Sequence, residues 1–472
     1  MFKDSKGNLT AIPESFNGLQ SLSLDDLKAL RDHLGVSGRL RARNSLLVEI
    51  SDELDIEYPP ELMNKTQRTE ANLAAMRVLS KGKDPSKLNQ RELAKISRYS
   101  GWGGLEIKKV GEQKWPAGVE RPSKRGLINE YYTPTTISSE IARVVAGLIS
   151  SLPKNLEGRV TALEPSAGIG RFLEATAALP LDWHAVELMK LSHDILEARF
   201  QQAKTYNMSF EEFVADHLAP IDKKVGLMLA NPPYGPRSGI HKDLDRVAEY
   251  SEGPAGKQAA PYFFRRTLDV LAPGGVGMLL VPYGIMLQKT NKKGLLKMRE
   301  EVLKRHHLMG AFRLPTDIFP GASLPTDLLF FRARKIVLSE VLPSDLDLLE
   351  GKYFQQNRDH ILGDEEGKPQ DGKTSQDSGG RYKVVGEFIG LPDTKWRPMV
   401  DGKGKARVAA PARQKSRVER VASSMINEDD TDDVESTDLS PSTKEAIALG
   451  RRIGLYLALL TSEDAEDAKY RN

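Results

Sequence analysis

Residues 129–334 predict an α/β fold, a mostly parallel sheet covered by helices on both faces. Three observations carry the prediction. Apolar runs of strand length recur at 159–164, 183–187, 225–230, 276–281, 309–314 and 327–332. Segments with helical apolar spacing alternate with them, at 136–151, 171–178, 190–204, 261–271 and 294–305. Glycines and prolines, among them Gly168, Gly170, Pro232, Pro233 and the Pro273-Gly274-Gly275 turn, punctuate the boundaries. Ligands of such sheets bind beyond the carboxyl ends of the strands, so chemistry is sought there.

The flanks differ in character. Residues 1–120 read as mostly helical, with helices at 22–34, 46–54, 70–79 and 90–97. Ser23 is a cap for the first, ahead of Asp25 and Asp26. Arg39, Arg41 and Arg43 give the first helix pair a faint likeness to a small DNA-binding module; a plain helical hairpin is the simpler reading. Tyr99-Ser100-Gly101-Trp102-Gly103-Gly104-Leu105 is too rich in glycine to continue a helix. The central domain is expected at 121–338, an extension and low-complexity linker at 339–440, and a C-terminal helical segment at 441–472. Within the extension, about 365–440 reads as linker or disordered chain with a short ordered piece near 382–391.

Composition excludes several classes. The chain has 472 residues, 39% of them hydrophobic, and no apolar run of the roughly 18 residues that a membrane helix needs. Its N-terminus lacks the apolar core of a signal peptide, so a cytoplasmic location without membrane contact is expected. With no cysteine, disulfides and thiolate metal sites are excluded. The histidines suggest no metal, and His306-His307 reads as a solvated helix end. Basic and acidic residues nearly balance, 68 against 65, so any nucleic-acid footprint must come from local clusters.

The pocket residues come next. Asn231-Pro232-Pro233-Tyr234 ends the apolar run 226–230. Two prolines there remove two backbone donors and stiffen the turn. The turn presents an amide, a carbonyl and an aromatic ring, groups suited to a planar amino group on a nucleobase. Glu164 and Pro165 stand at the first strand end, followed by Gly168 and Gly170. The segment is neither the GxGxxG fingerprint nor a P-loop; its acidic residue suits an ammonium group. Glu187, about twenty residues on, is positioned to accept from ribose hydroxyls. Asp216, after a third β-like segment, is a candidate acceptor for an adenine amino group or, more blandly, a cap. Thr133 before Pro134 fits a helix start, with threonine as cap and proline at the first helical position. Such a helix end also favours a carboxylate. S-adenosyl-L-methionine offers all four groups.

These residues resemble the S-adenosylmethionine-dependent DNA adenine-N6 methyltransferases. Their order is that of the gamma subgroup: Tyr132-Thr133-Pro134, then the glycine loop, then Asn231-Pro232-Pro233-Tyr234. The resemblance covers about 129–334 and implies a Rossmann-like class I methyltransferase domain with a seven-stranded sheet. It implies that Tyr132, Thr133 and Pro134 contact the methionine end of the cofactor. Glu164, Pro165, Ala167, Gly168 and Gly170 would wrap the methionine, Glu187 would hold the ribose and Asp216 the adenine. Asn231 would border the cofactor and, with Pro232 and Pro233, hold the target amino group. Tyr234 and Phe319 would contact a flipped-out base. Arg237, His241, Lys242 and Arg246, with Lys289, Lys292 and Lys293, are candidate phosphate contacts.

Thr69-Glu70-Ala71-Asn72-Leu73, the glycine-rich 99–104 segment, Tyr353-Phe354 and Ile361-Leu362-Gly363 look like segments of methyltransferases of phages and conjugative elements. DNA is the expected partner, with a specificity or helicase protein as a possible second. A restriction-modification or anti-restriction setting follows from the same likeness. Three alternatives stay open: methylation of protein glutamine, methylation of RNA, and a non-catalytic accessory protein with this fold.

Overall fold

The computed structural model describes residues 1–36, 43–54, 56, 58–105, 130–237, 253–319, 322–367, 382–393 and 395–399. The central sheet has seven strands: β1 (Val160–Glu164), β2 (Leu181–Glu187), β3 (Lys204–Asn207), β4 (Val225–Ala230), β5 (Leu271–Pro282), β6 (His306–Leu314) and β7 (Thr326–Ala333). Their order is β3-β2-β1-β4-β5-β7-β6. Neighbours from β3 to β5 pair in parallel, and β7 runs antiparallel to both β5 and β6. This is the mostly parallel, helix-covered seven-stranded sheet that the sequence predicted.

The inner strands β1, β4 and β5 are mostly apolar and buried because both sheet faces are covered there. Successive residues of β4 point to opposite sides. Met228 and Ala230 join a core with Phe213, Tyr262 and Val302, while Leu227 and Leu229 join one with Ile137, Ile141 and Phe330. The first core is closed by helices that follow strands, and the second by the helix that precedes β1. One charge pair is enclosed as well: Arg313 of β6 bonds both carboxylate oxygens of Asp327 of β7, at 2.7 and 3.1 Å, with each residue 1% exposed.

The helices used below are α1 (Leu24–Leu34), α2 (Arg43–Glu53), α3 (Lys65–Leu79), α4 (Gln90–Ser97), α5 (Thr135–Leu148), α6 (Arg171–Ala175), α7 (Lys190–Arg199) and α8 (Phe210–Asp216). Ser23 caps α1 as expected, accepting from the Asp26 N–H at 3.1 Å. Arg39 and Arg41 lie outside the described residues, and Arg43 donates to the carbonyls of Gln20 and Leu22 within its own helical module. Helices α3 and α4 pack differently. Leu73, Met76, Ile96, Tyr99 and Trp102 share a core with Ile169 of the glycine loop and Leu191 and Ile195 of α7.

Several local expectations are corrected. Helix α7 ends at Arg199, five residues before the predicted end, and the polar stretch after it forms the edge strand β3. Ala215 and Asp216 therefore end helix α8 and do not follow a strand. His306 and His307 open β6 and are buried, their Nε2 atoms bonded to the carbonyls of Leu268 and Arg397. Part of the expected linker is ordered: Asp364–Glu366 pairs antiparallel with Lys383–Val385. The predicted C-terminal helix lies outside the described residues. Among the described residues, no helix is long and apolar enough to cross a membrane.

Candidate active site

A cavity of about 370 Å³ opens where β1, β2, β3 and β4 end. Each strand contributes the residues just beyond its carboxyl end. Pro165, Ser166 and Gly168 follow β1, and Leu188 and Met189 follow Glu187 of β2. Met208 and Ser209 follow β3, and the whole 231–234 turn follows β4. Phe319 and Leu324 reach in from the β6–β7 connection, and Glu130, Tyr131 and Tyr132 close the side ahead of α5.

The 231–234 turn is fixed to the glycine loop, since Ser166 Oγ donates to the Asn231 backbone carbonyl at 3.1 Å. Asn231 and Tyr234 are half-buried, Pro232 is buried and Pro233 is exposed. The Tyr234 hydroxyl is turned inward beside Thr326 and Asp327, and burial pushes the phenol well above its usual range.

The opposite wall is acidic. Glu187 accepts from the N–H groups of Gly168 at 2.8 Å and Met189 at 2.7 Å. Burial nevertheless raises its carboxyl to about 7. Glu164, at the end of β1, is not among the residues lining the cavity, and among the described residues its Oε2 is buried without a hydrogen-bond partner. Burial, and then the Glu187 charge, hold the Glu164 carboxyl well above the carboxylate range. Glu130 is 4% exposed and also raised by burial, although the Tyr99 and Tyr132 hydroxyls and the Trp102 N–H donate to it.

The expected glycines divide in role. Gly168 has φ +54°, and a Cβ there would lie 2.6 Å from the Tyr132 ring. Gly170, with φ +81°, faces Leu196 and Phe200 at the end of α7 and does not line the cavity. Ala167 is buried too, bonding the Val186 carbonyl at 2.8 Å, so both residues shape the loop from behind.

Other expected positions fall elsewhere. Thr133 and Pro134 line a small adjoining hollow with Arg68 and Arg171. Pro134, not Thr133, is the N-cap of α5 and makes no side-chain cap bond. The carboxylate expected at this helix end comes from the chain itself: the Thr135 N–H donates to Glu61. Asp216 is exposed and absent from the cavity wall, where Met208, Ser209 and Phe210 stand instead. Arg237 is buried, paired with Glu211 at 2.8 Å and stacked 3.5 Å from the Tyr262 ring centre, so it is a wall residue, not an exposed phosphate anchor. His241, Lys242 and Arg246 lie outside the described residues. Lys289, Lys292 and Lys293 follow β5 in the chain and are exposed. Phe319 is both 5% exposed and part of the cavity wall. Its loop is tied down by reciprocal bonds between Thr316 and Val384, each 2.8 Å.

Residues 184–366 match the family model described as N-6 DNA Methylase. The match takes in the 231–234 turn and the Phe319 loop and begins beyond the glycine loop. The defense against restriction protein B of Escherichia phage P1 is 25% identical over 305 residues, covering 61% of this chain and 12% of that protein. The EcoKI methylase subunit of Escherichia coli K12 is 29% identical over 108 residues, covering 23% of this chain and 19% of the subunit. The chain thus spans less than a fifth of either relative's length. Among solved structures, the methyltransferase subunit of a Streptococcus thermophilus type I restriction-modification system has a TM-score of 0.36 at 16% identity, covering 68% of this chain and 76% of that one.

Around the cavity, sequence reasoning overlooked Glu130, Ser166, Ser192, Ser209 and Glu211. Ser209 had a readable signal. It stands three residues before Glu212, whose N–H it accepts at 3.1 Å, a helix start that would have excluded a strand end at Ala215. On α7, His193, Asp194 and Glu197 also bring possible ligand atoms within 4.8 Å of one another, but Lys190 already pairs with Asp194 at 2.7 Å.

Proposed function

We propose that this chain is an S-adenosylmethionine-dependent DNA methyltransferase acting on the exocyclic amino group of adenine. One observation carries the reading: a single cavity is bordered by the Asn231 turn on one side and by Glu187, Gly168 and Tyr132 on the other. The residues fit the cofactor. Glu164, beyond the cavity's lining residues, keeps a buried carboxyl oxygen that has no partner among the described residues, which supports its role as an acceptor for the ammonium group. Glu187 is an acceptor for ribose hydroxyls, and Leu188, Met208 and Phe210 offer apolar surface for a nucleobase.

When bound, S-adenosylmethionine would supply an electrophilic methyl group for the amino nitrogen, with its sulfur as the leaving group and the displaced amino proton passing to solvent. The chain's own work is orientation. The Asn231 side-chain oxygen and the Pro232 carbonyl accept the two amino N–H bonds, which draws the nitrogen towards tetrahedral geometry and frees its lone pair. Pro233 stiffens the turn. Tyr234 and Phe319 receive the base, which must leave the duplex to reach them. Lys242 and the lysines beyond β5 are candidates for the phosphate backbone.

The phage defense-against-restriction protein and the type I methylase subunit favour a restriction-modification or anti-restriction setting, with a specificity or helicase protein as a partner. Asn231→Ala is expected to abolish methyl incorporation into adenine-containing DNA while cofactor binding persists. Near-normal turnover would sink the assignment. Identifying the modified nucleoside or residue in digested substrate separates adenine in DNA from RNA and from protein glutamine.

A further inference from the structure

Residues 99–104 precede the methylase family match by eighty residues, yet they bond to Glu130, which lines the cavity. The Tyr99 hydroxyl donates to Glu130 Oε1 at 2.8 Å, and the Trp102 N–H donates to Glu130 Oε2 at 3.0 Å. The Gly103 N–H donates to the Glu130 backbone carbonyl at 3.2 Å. A Cβ on Gly103 would come within 2.5 Å of that carbonyl, so the two chains approach too closely for any side chain. Glu130 in turn accepts from the Tyr132 hydroxyl, which also bonds Ser192 Oγ at 2.8 Å. The Tyr132 ring lies against Gly168.

From behind, α3 clamps the turn. Asn72 bonds the Gly101 carbonyl at 2.8 Å and the Ser100 N–H at 2.9 Å, and Arg68 donates to the carbonyls of Gly101 and Gly103 at 3.0 and 2.9 Å. Both residues are buried. Such a set of convergent bonds fixes one rotamer of one tyrosine at the rim of a ligand cavity.

We infer that the 99–104 turn is a positioning element of the cofactor pocket, acting through Glu130 to hold Tyr132 against the glycine loop. This rests on the S-adenosylmethionine reading above. Affinity for the cofactor then depends on Tyr99, which touches no part of the cavity itself.

The test is Tyr99→Phe, which keeps the ring in the shared core and removes only the donor to Glu130. The dissociation constant for S-adenosylmethionine, measured by calorimetry on the full chain, should rise roughly tenfold, the scale of a lost bond to a charged acceptor. The unfolding midpoint should fall as well, because the bond to buried Glu130 exists without cofactor, and in the folded chain the kinetic effect should fall on KM for the cofactor far more than on kcat. Glu130→Gln, which keeps the shape, should weaken binding in the same direction and serves if Tyr99→Phe does not fold. Wild-type affinity in both variants overturns the proposal while leaving the cofactor reading intact. A wild-type chain that binds no S-adenosylmethionine overturns that reading first.

Discussion

Glu187→Gln separates the two demands placed on one buried carboxylate. In the folded chain, burial raises the Glu187 carboxyl from 4.5 to about 7, which corresponds to about 3 kcal/mol against ionisation. The pKa is higher folded than unfolded. The stabilising contribution is therefore fully present below pH 4.5 and is lost as pH rises to about 7. Glutamine cannot titrate, so the stability difference between wild type and variant should shift against wild type by up to about 3 kcal/mol across that window and then level off. The variant also carries a constant penalty. Its single amide oxygen cannot serve both the Gly168 and Met189 N–H groups, and an orphaned buried donor costs about 1–3 kcal/mol. Urea unfolding of both proteins without cofactor, at half-unit steps from pH 5 to 8.5, measures the difference. Glu164 does not cancel fully, because the variant removes the Glu187 charge that helps to raise its carboxyl, and this adds to the difference between the two curves. Binding should run the opposite way. Ribose hydroxyls donate to the ionised form, so S-adenosylmethionine should bind wild type more tightly as pH approaches 7 and bind the variant weakly at every pH. Stability curves that stay parallel across the window would refute this account of Glu187.

Other perturbations follow from the same geometry. Tyr234→Phe removes a buried hydroxyl and keeps the ring, so methylation should fall only a few-fold. Tyr234→Ala should lose base stacking worth roughly 1–3 kcal/mol, read as kcat/KM for DNA. Arg237→Met should destabilise by about 3–5 kcal/mol in thermal or urea unfolding by leaving Glu211 buried without its partner. In DNA binding, its slope of affinity against salt should match wild type, because a buried wall residue neutralises no phosphate. Arg313→Met should cost a similar amount in urea unfolding, and adding Asp327→Asn should recover much of it.

What could be read from the sequence follows the physics of each segment. Strands β1, β4 and β5 were legible because burial on both faces leaves short unbroken apolar runs. Edge strand β3 was not, since Lys204, Thr205, Tyr206 and Asn207 are exposed or half-buried and carry little pattern. That one miss propagated: without β3, Asp216 was taken for the residue at its tip. Glycines were legible as turns, but not which of them meets a ligand. Gly168 and Gly170 differ only in whether Tyr132 or Phe200 lies over them. Long-range partners left no local trace. The Glu61 carboxylate reaches Thr135 across 74 residues, and Glu211 meets Arg237 across 26. The 231–234 turn was the clearest signal, since adjacent prolines after a strand are costly unless the turn must be rigid.

The bonds between Glu130 and the glycine-rich turn bear on how such a chain can be recombined. Glu130 and its donors Tyr99 and Trp102 lie on opposite sides of residues 106–129 in the sequence. A crossover between relatives within that stretch would keep every strand of the sheet and the whole 231–234 turn, yet join a carboxylate to foreign donors. The unit that can be exchanged intact extends back to α3, well ahead of the family-matched segment, and chimaeras joined at residue 184 or 130 should inherit a sheet without its fitted wall.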